Sequence, residues 1–152
     1  SQKALIALDE LINRFPDEAL LFNLRGACYE AIHKFDQSIE SFSKAVENHP
    51  HYAEAFYNLG VVARGQDNFN LAIKSYRSAI SIQPNYPDAH NNLGNTFKEQ
   101  ERLSDAIESY EWAIAYKHDF FQVLLYFFMN SFNFVDVFTL QFTQKLGSTT
   151  VV

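Results

Sequence analysis

The sequence is poor in the residues that define disulfide-bonded, loop-rich or zinc-binding chains. It contains one cysteine, Cys28, so it can form no internal disulfide and has no zinc-binding cysteine spacing. Four prolines and five glycines among 152 residues argue against a loop-rich or all-β chain. These shortages favour a helical protein from a reducing compartment, and we predict a cytoplasmic location.

Positive charge and catalytic motifs are also scarce. The net charge is −6, so the chain as a whole would repel nucleic acid. No phosphate-binding loop, nucleophile elbow, zinc-protease motif or calcium-binding loop is present. His49 and His51 flank Pro50, but a closed zinc site needs four ligands and no others are evident. We therefore expect no enzymatic activity, no cofactor, no metal and no nucleic-acid partner.

A step of 34 residues runs through most of the chain and separates Pro16, Pro50 and Pro84. The same step aligns a glycine column, a small-residue column and a bulky column. Their members are Gly26, Gly60 and Gly94; Ala4, Ser38, Ala72 and Ala106; and Leu8, Phe42, Tyr76 and Tyr110. Glycine inside a helix costs about 0.5–1 kcal/mol relative to alanine. The glycine column therefore predicts a neighbouring group that needs the space.

Between the prolines, apolar residues recur at helical spacing, which predicts two amphipathic helices per repeat. The predicted helices cover residues 2–14, 18–32, 36–48, 52–65, 70–82, 86–100 and 104–117. We expect an all-α fold, a right-handed α-α superhelix of antiparallel helix pairs. The N-terminus is not a signal peptide, because Asp9 and Glu10 interrupt it. Since the chain starts within a helical pattern, we expect it to be part of a longer protein.

These columns resemble the tetratricopeptide repeat, whose period is 34 and whose pattern is W-x₂-L-G-x₂-Y, A-x₃-F, then P. The middle copy carries Phe56, Leu59-Gly60, Ala63, Ala72, Tyr76 and Pro84. We predict a repeat array over residues 1–119, with a half repeat at 1–18 and full repeats at 19–52, 53–86 and 87–120. The stretch DAHNNLGNTFKEQ also resembles the repeat arm of O-linked N-acetylglucosamine transferases.

In tetratricopeptide repeat proteins, which this sequence resembles, the first helix of each pair lines a concave groove that binds peptides. Mapping that face by the repeat step gives the predicted groove residues Asn23, Tyr57, Asn58, Val61, Arg64, Asn91, Asn92, Asn95 and Lys98. Asparagine is a poor helix former, but its amide both donates and accepts hydrogen bonds, so it can pair with a peptide unit. The resemblance implies a ladder of such contacts at Asn58 and Asn92. A carboxylate clamp looks unfavourable, because Ala27 and Asp88 occupy two of its places.

The last segment, residues 120–152, departs from the repeat. It holds eight of the fifteen phenylalanines but only two charged residues, Asp136 and Lys145. We expect residues 121–131 to form a helix that caps the last repeat; poor capping would lead to self-association. The alternative is that residues 120–152 are not the natural continuation of the repeats. A membrane span over 120–142 is disfavoured, because polar residues interrupt that run.

Together these features predict a scaffold that binds a protein or peptide in the groove. The alternative is the repeat arm of a larger glycosyl- or sulfotransferase whose catalytic domain is absent.

Overall fold

The computed structural model describes residues 2–117 of the protein. This part of the chain contains seven helices and no strand. They are α1 (Gln2–Arg14), α2 (Ala19–Glu30), α3 (Phe35–Asn48), α4 (Ala53–Gly65), α5 (Phe69–Ile82), α6 (Pro87–Glu99) and α7 (Leu103–Lys117). Every boundary lies within two residues of the predicted one. The predicted all-α class, a superhelix of helix pairs, is confirmed.

The helices pack in sequential pairs that stack on one another. Helix α2 packs against α3, and α4 packs against α5. Successive pairs meet where α3 contacts α4 and where α5 contacts α6. In addition, α2 touches α4 and α4 touches α6, so the first helices of the pairs lie side by side. This arrangement creates one continuous face of first helices, on which the predicted groove residues are carried.

The glycine column leaves space for the bulky column of the paired helix. This is the neighbouring group that the glycines in mid-helix positions predicted. A Cβ atom built on Gly60 would lie 2.7 Å from Cε1 of Tyr76. The same 2.7 Å approach occurs between Gly26 and Phe42 and between Gly94 and Tyr110. Because Phe42 and Tyr76 have no exposed surface, their rings fill the core at these crossings. The repeat step therefore encodes the contact between the two helices of each pair.

The turns within the helix pairs contain residues in the left-handed conformation, although none of these residues is a glycine. His33, Asp67 and Glu101 have φ values of 58°, 56° and 59°, in the left-handed region where glycine is usual. The backbone N–H groups of the following residues, Lys34, Asn68 and Arg102, donate across the three turns to carbonyl oxygens of the preceding helix at 2.9 Å. These hydrogen bonds give a second donor to carbonyl oxygens of the last helical turn, which also accept from the N–H groups of Ile32, Gln66 and Gln100.

No helix within residues 2–117 is long and apolar enough to span a membrane. The predictions for residues 120–152, namely a capping helix, a disfavoured membrane span and self-association, lie outside the described residues.

Candidate functional site

The nine predicted groove residues lie on the three adjacent first helices. Helix α2 carries Asn23; α4 carries Tyr57, Asn58, Val61 and Arg64; α6 carries Asn91, Asn92, Asn95 and Lys98. Hydrogen bonds between helices bring several of them together. We name this surface the α2–α4–α6 groove and keep that name below.

Asn23 joins α2 to α4 and has little surface left for a ligand. Its Nδ2 donates to the Tyr52 hydroxyl at 3.1 Å and to Glu54 Oε1 at 3.5 Å, while its Oδ1 accepts from Asn58 Nδ2 at 3.1 Å. Only 4% of Asn23 is exposed. Its amide therefore holds two repeats together, which the sequence alone did not indicate.

Asn58 and Asn92 are bonded through nitrogen only. Asn58 Nδ2 donates to Asn23 Oδ1, and Asn92 Nδ2 donates to the Tyr57 hydroxyl at 3.0 Å. Neither Oδ1 atom accepts a hydrogen bond from the described residues, and both side chains are partly exposed. An amide nitrogen carries two protons, so each side chain keeps one donor and its acceptor for a peptide unit.

Other predicted residues take different roles. The Tyr110 hydroxyl donates to Asn95 Oδ1 at 2.7 Å, which engages that amide in helix packing. Arg64 Nη1 lies 3.0 Å from Glu99 Oε1 and joins α4 to α6 through an ion pair. Asn91 and Lys98 are exposed. The groove thus combines a structural row of bonded amides with open polar positions.

Tyrosines cluster near the N-terminal ends of α4 and α6, and Tyr57 is the one member of this cluster predicted as a groove residue from the sequence. The Tyr57 and Tyr86 rings are stacked, with centroids 5.0 Å apart and planes at 29°. Burial, the neighbouring Tyr57 and the negative charges of Glu54 and Asp88 together raise the pKa of Tyr86 to about 12. Burial and neighbouring carboxylates also raise the pKa of Tyr57. The 34-residue step between Tyr52 and Tyr86 was the signal that could have identified this cluster.

Tyr76 lies beneath the groove, with its hydroxyl close to the Arg64 guanidinium. Neither the Tyr76 hydroxyl nor Arg64 Nε has a hydrogen-bond partner among the described residues. Tyr110 has Asn95 as its acceptor, whereas Val61 occupies the equivalent place beside Tyr76. Burial raises the pKa of Tyr76 well above its ordinary value, although the nearby Arg64 charge opposes the rise.

A second concavity, between α5, α6 and α7, has a volume of about 300 Å³ and is lined partly by His90 and Trp112. His90 Nε2 lies 3.0 Å from the Pro84 carbonyl oxygen, and its ring stacks on Trp112. Burial lowers the pKa of His90, which favours the neutral imidazole. Within residues 2–117, no group of three or more His, Cys, Asp or Glu side chains is arranged to hold a metal ion.

Fold and groove define the described chain as an all-helical repeat protein. Two family models match parts of it: "TPR repeat" at residues 63–101 and "Tetratricopeptide repeat" at residues 87–120. These matches support the tetratricopeptide repeat family. They do not address the resemblance to O-linked N-acetylglucosamine transferases, which stays a prediction.

The chain is also similar to solved structures of MamA. One, the crystal structure of MamA, is 21% identical with a TM-score of 0.72, over 74% of this chain and 66% of that one. A second MamA crystal structure is 22% identical with a TM-score of 0.73, over 76% of this chain and 63% of that one. The chain therefore spans just under two thirds of these structures, and the likeness concerns the fold. No curated protein sequence matches the chain.

Proposed function

We propose that this protein is an interaction scaffold whose α2–α4–α6 groove holds an extended segment of a partner polypeptide. The main support for the proposal is the hydrogen bonding of the Asn58 and Asn92 side-chain amides. Each is held by one nitrogen hydrogen bond to a neighbouring helix and keeps its Oδ1 without a bonded donor in the described residues. Side chains fixed in this way lose little further freedom when they pair with a ligand.

The spacing of the two amides suits a ligand that crosses successive repeats. Asn58 and Asn92 are separated by one repeat step of 34 residues and lie on adjacent helices, α4 and α6. An amide that donates and accepts pairs with the peptide backbone, so it recognises an extended conformation more than a particular sequence. Such a groove would accept partners of varied sequence.

Hydrogen-bond energies limit the expected strength of binding. Each neutral hydrogen bond contributes about 0.5–1.5 kcal/mol net, and ordering the peptide opposes binding. The two open amides supply only a few such bonds. We therefore expect dissociation constants near the micromolar range or weaker for short peptides.

Replacing both open amides, Asn58→Ala with Asn92→Ala, should weaken binding of peptides selected by the wild-type protein from a random displayed library. Losing one or two hydrogen bonds at each site predicts a decrease of about five-fold or more. Asn70→Ala is the matched control, because Asn70 is an exposed asparagine on α5, which is not a groove helix. Isothermal calorimetry on folded samples measures the change.

Stability must be measured alongside, because the Asn58 and Asn92 amides also bridge helices. We expect each substitution to lower the free energy of unfolding by about 0.5–1.5 kcal/mol. Equal peptide binding by the double variant and the Asn70→Ala control would contradict the proposed groove, as would a library that yields no binding peptides.

A further inference from the structure

The N-terminal ends of α4 and α6 bring three tyrosines and two carboxylates together. We name Tyr52, Glu54, Tyr57, Tyr86 and Asp88 the tyrosine–carboxylate cluster. Tyr57 and Tyr86 are stacked at 5.0 Å, and both tyrosines are partly exposed. Asp88 lies close enough to raise the pKa of both rings' hydroxyls, and Glu54 raises those of Tyr52 and Tyr86. Glu54 precedes Tyr57 by three residues on α4 and so lies on the same helix face, and Asp88 follows Tyr86 by two residues in the first turn of α6.

The carboxylates of this cluster have no cationic partner in the described part of the chain. Glu54 and Asp88 are exposed and take part in none of its ion pairs. Glu54 accepts only a long 3.5 Å hydrogen bond from Asn23. A surface carboxylate is stable in water, so this alone would indicate no ligand.

The rest of the groove does not compensate for this negative charge. Arg64 is already paired with Glu99 at 3.0 Å, which leaves Lys98 as the exposed groove cation. Glu30 adds another carboxylate near enough to raise the pKa of Tyr57. The groove is therefore complementary in charge to a basic ligand.

Helix electrostatics offer a simpler explanation for the two acids. Glu54 and Asp88 are the second residues of α4 and α6, where a carboxylate stabilises the positive end of the helix dipole. Asp36 holds the same position in α3, which does not line the groove. The dipole accounts for all three acids, but it does not account for a stacked, partly exposed tyrosine pair beside two of them.

An aromatic face flanked by carboxylates attracts a desolvated cation in two ways. The ring quadrupole attracts a guanidinium or ammonium group lying over it, and the carboxylates form ion pairs with its N–H groups. Arginine is favoured over lysine, because its planar group can stack on a ring and bind a carboxylate at once. We propose that the tyrosine–carboxylate cluster binds an arginine side chain of the partner peptide and makes the groove selective for basic segments. This inference rests on the proposed function of the groove.

Three mixtures of decapeptides with randomised flanks test the selectivity, with Arg-Arg, citrulline-citrulline or Glu-Glu fixed at the centre. Citrulline keeps the shape of arginine but lacks its charge. A single exposed ion pair changes affinity by up to about five-fold, and an exposed cation–π contact by a similar factor. We expect the arginine mixture to bind about three- to thirty-fold more tightly than the citrulline mixture at low salt. At about 1 M salt, where screening acts within roughly 3 Å, the advantage should shrink.

Charge-neutralising variants locate the effect. Glu54→Gln with Asp88→Asn should remove most of the preference for arginine over citrulline, whereas Asp36→Asn should preserve it. Equal binding of the arginine and citrulline mixtures overturns the selectivity but leaves the peptide groove standing. Absence of binding by all three mixtures overturns the groove as well. The assignment to this cluster is overturned if the double variant keeps the preference for arginine over citrulline. It is also overturned if Asp36→Asn reduces that preference as much as the double variant does.

Discussion

Replacing Tyr76 by alanine should lower the free energy of unfolding by about 3–5 kcal/mol, because it empties a fully buried aromatic site. The ring sits in a core cluster with Ala63, Ala72, Leu93 and Phe97, where α4, α5 and α6 meet. A typical domain is stable by only about 5–15 kcal/mol, so the loss would be severe. Urea unfolding followed by circular dichroism measures it.

Removal of the hydroxyl alone separates the contribution of the ring from that of the polar group. Tyr76→Phe should change stability little, since no hydrogen bond of good geometry reaches the buried hydroxyl from the described residues, although the Arg64 guanidinium lies near it. Tyr110→Phe should cost about 0.5–1.5 kcal/mol, because it breaks the 2.7 Å bond to Asn95. Equal losses for the two phenylalanine variants, or a small loss for Tyr76→Ala, would contradict this picture of the core.

Adding one methyl group at Gly60 should destabilise the protein despite improving helix propensity. The new Cβ of Gly60→Ala would lie 2.7–3.0 Å from three ring atoms of Tyr76, which has no space to move. Overpacking of this kind costs about 1–3 kcal/mol, whereas alanine in a helix gains about 1 kcal/mol over glycine. We expect a net loss of up to about 2 kcal/mol, measured by chemical unfolding.

Gly65→Ala is the matched control, because it lies on the same helix with no atom within 4 Å of its built Cβ. It should leave stability unchanged or raise it by up to about 1 kcal/mol. Combining Gly60→Ala with Tyr76→Leu should cost less than the sum of the two changes, because the smaller side chain makes room. A simple sum, or a destabilising Gly65→Ala, would refute steric contact as the reason for the glycine column.

The helical fold was predictable because packing recurs with the chain's own period. The glycine column predicted a neighbouring group that needs space but left open whether it is backbone or a large side chain, and the structure shows that the neighbour of Gly60 is the Tyr76 ring. Helix boundaries followed from the prolines and the apolar spacing to within two residues. These are local and periodic signals, which a single sequence carries well.

The burial and hydrogen bonding of the groove side chains were less predictable from the sequence. Sequence spacing placed Asn23, Asn58 and Asn92 on one surface. Only the structure shows that Asn23 is buried and that its amide is hydrogen-bonded to the neighbouring repeat. Such bonds depend on side-chain rotamers and helix separation, which residue spacing does not specify. The left-handed turns at His33, Asp67 and Glu101 were missed for a similar reason, because none of these positions is glycine.

The most direct test of the proposed groove is an NMR titration of isotope-labelled protein with a peptide selected from the displayed library. The side-chain amide signals of Asn58 and Asn92 should shift together as peptide is added, because their free donor and acceptor positions pair with the peptide backbone. The signal of Asn70, on α5, should stay in place. Shifts at Asn70 or around His90 and Trp112, with those of Asn58 and Asn92 unchanged, would contradict the claim that this groove binds peptides.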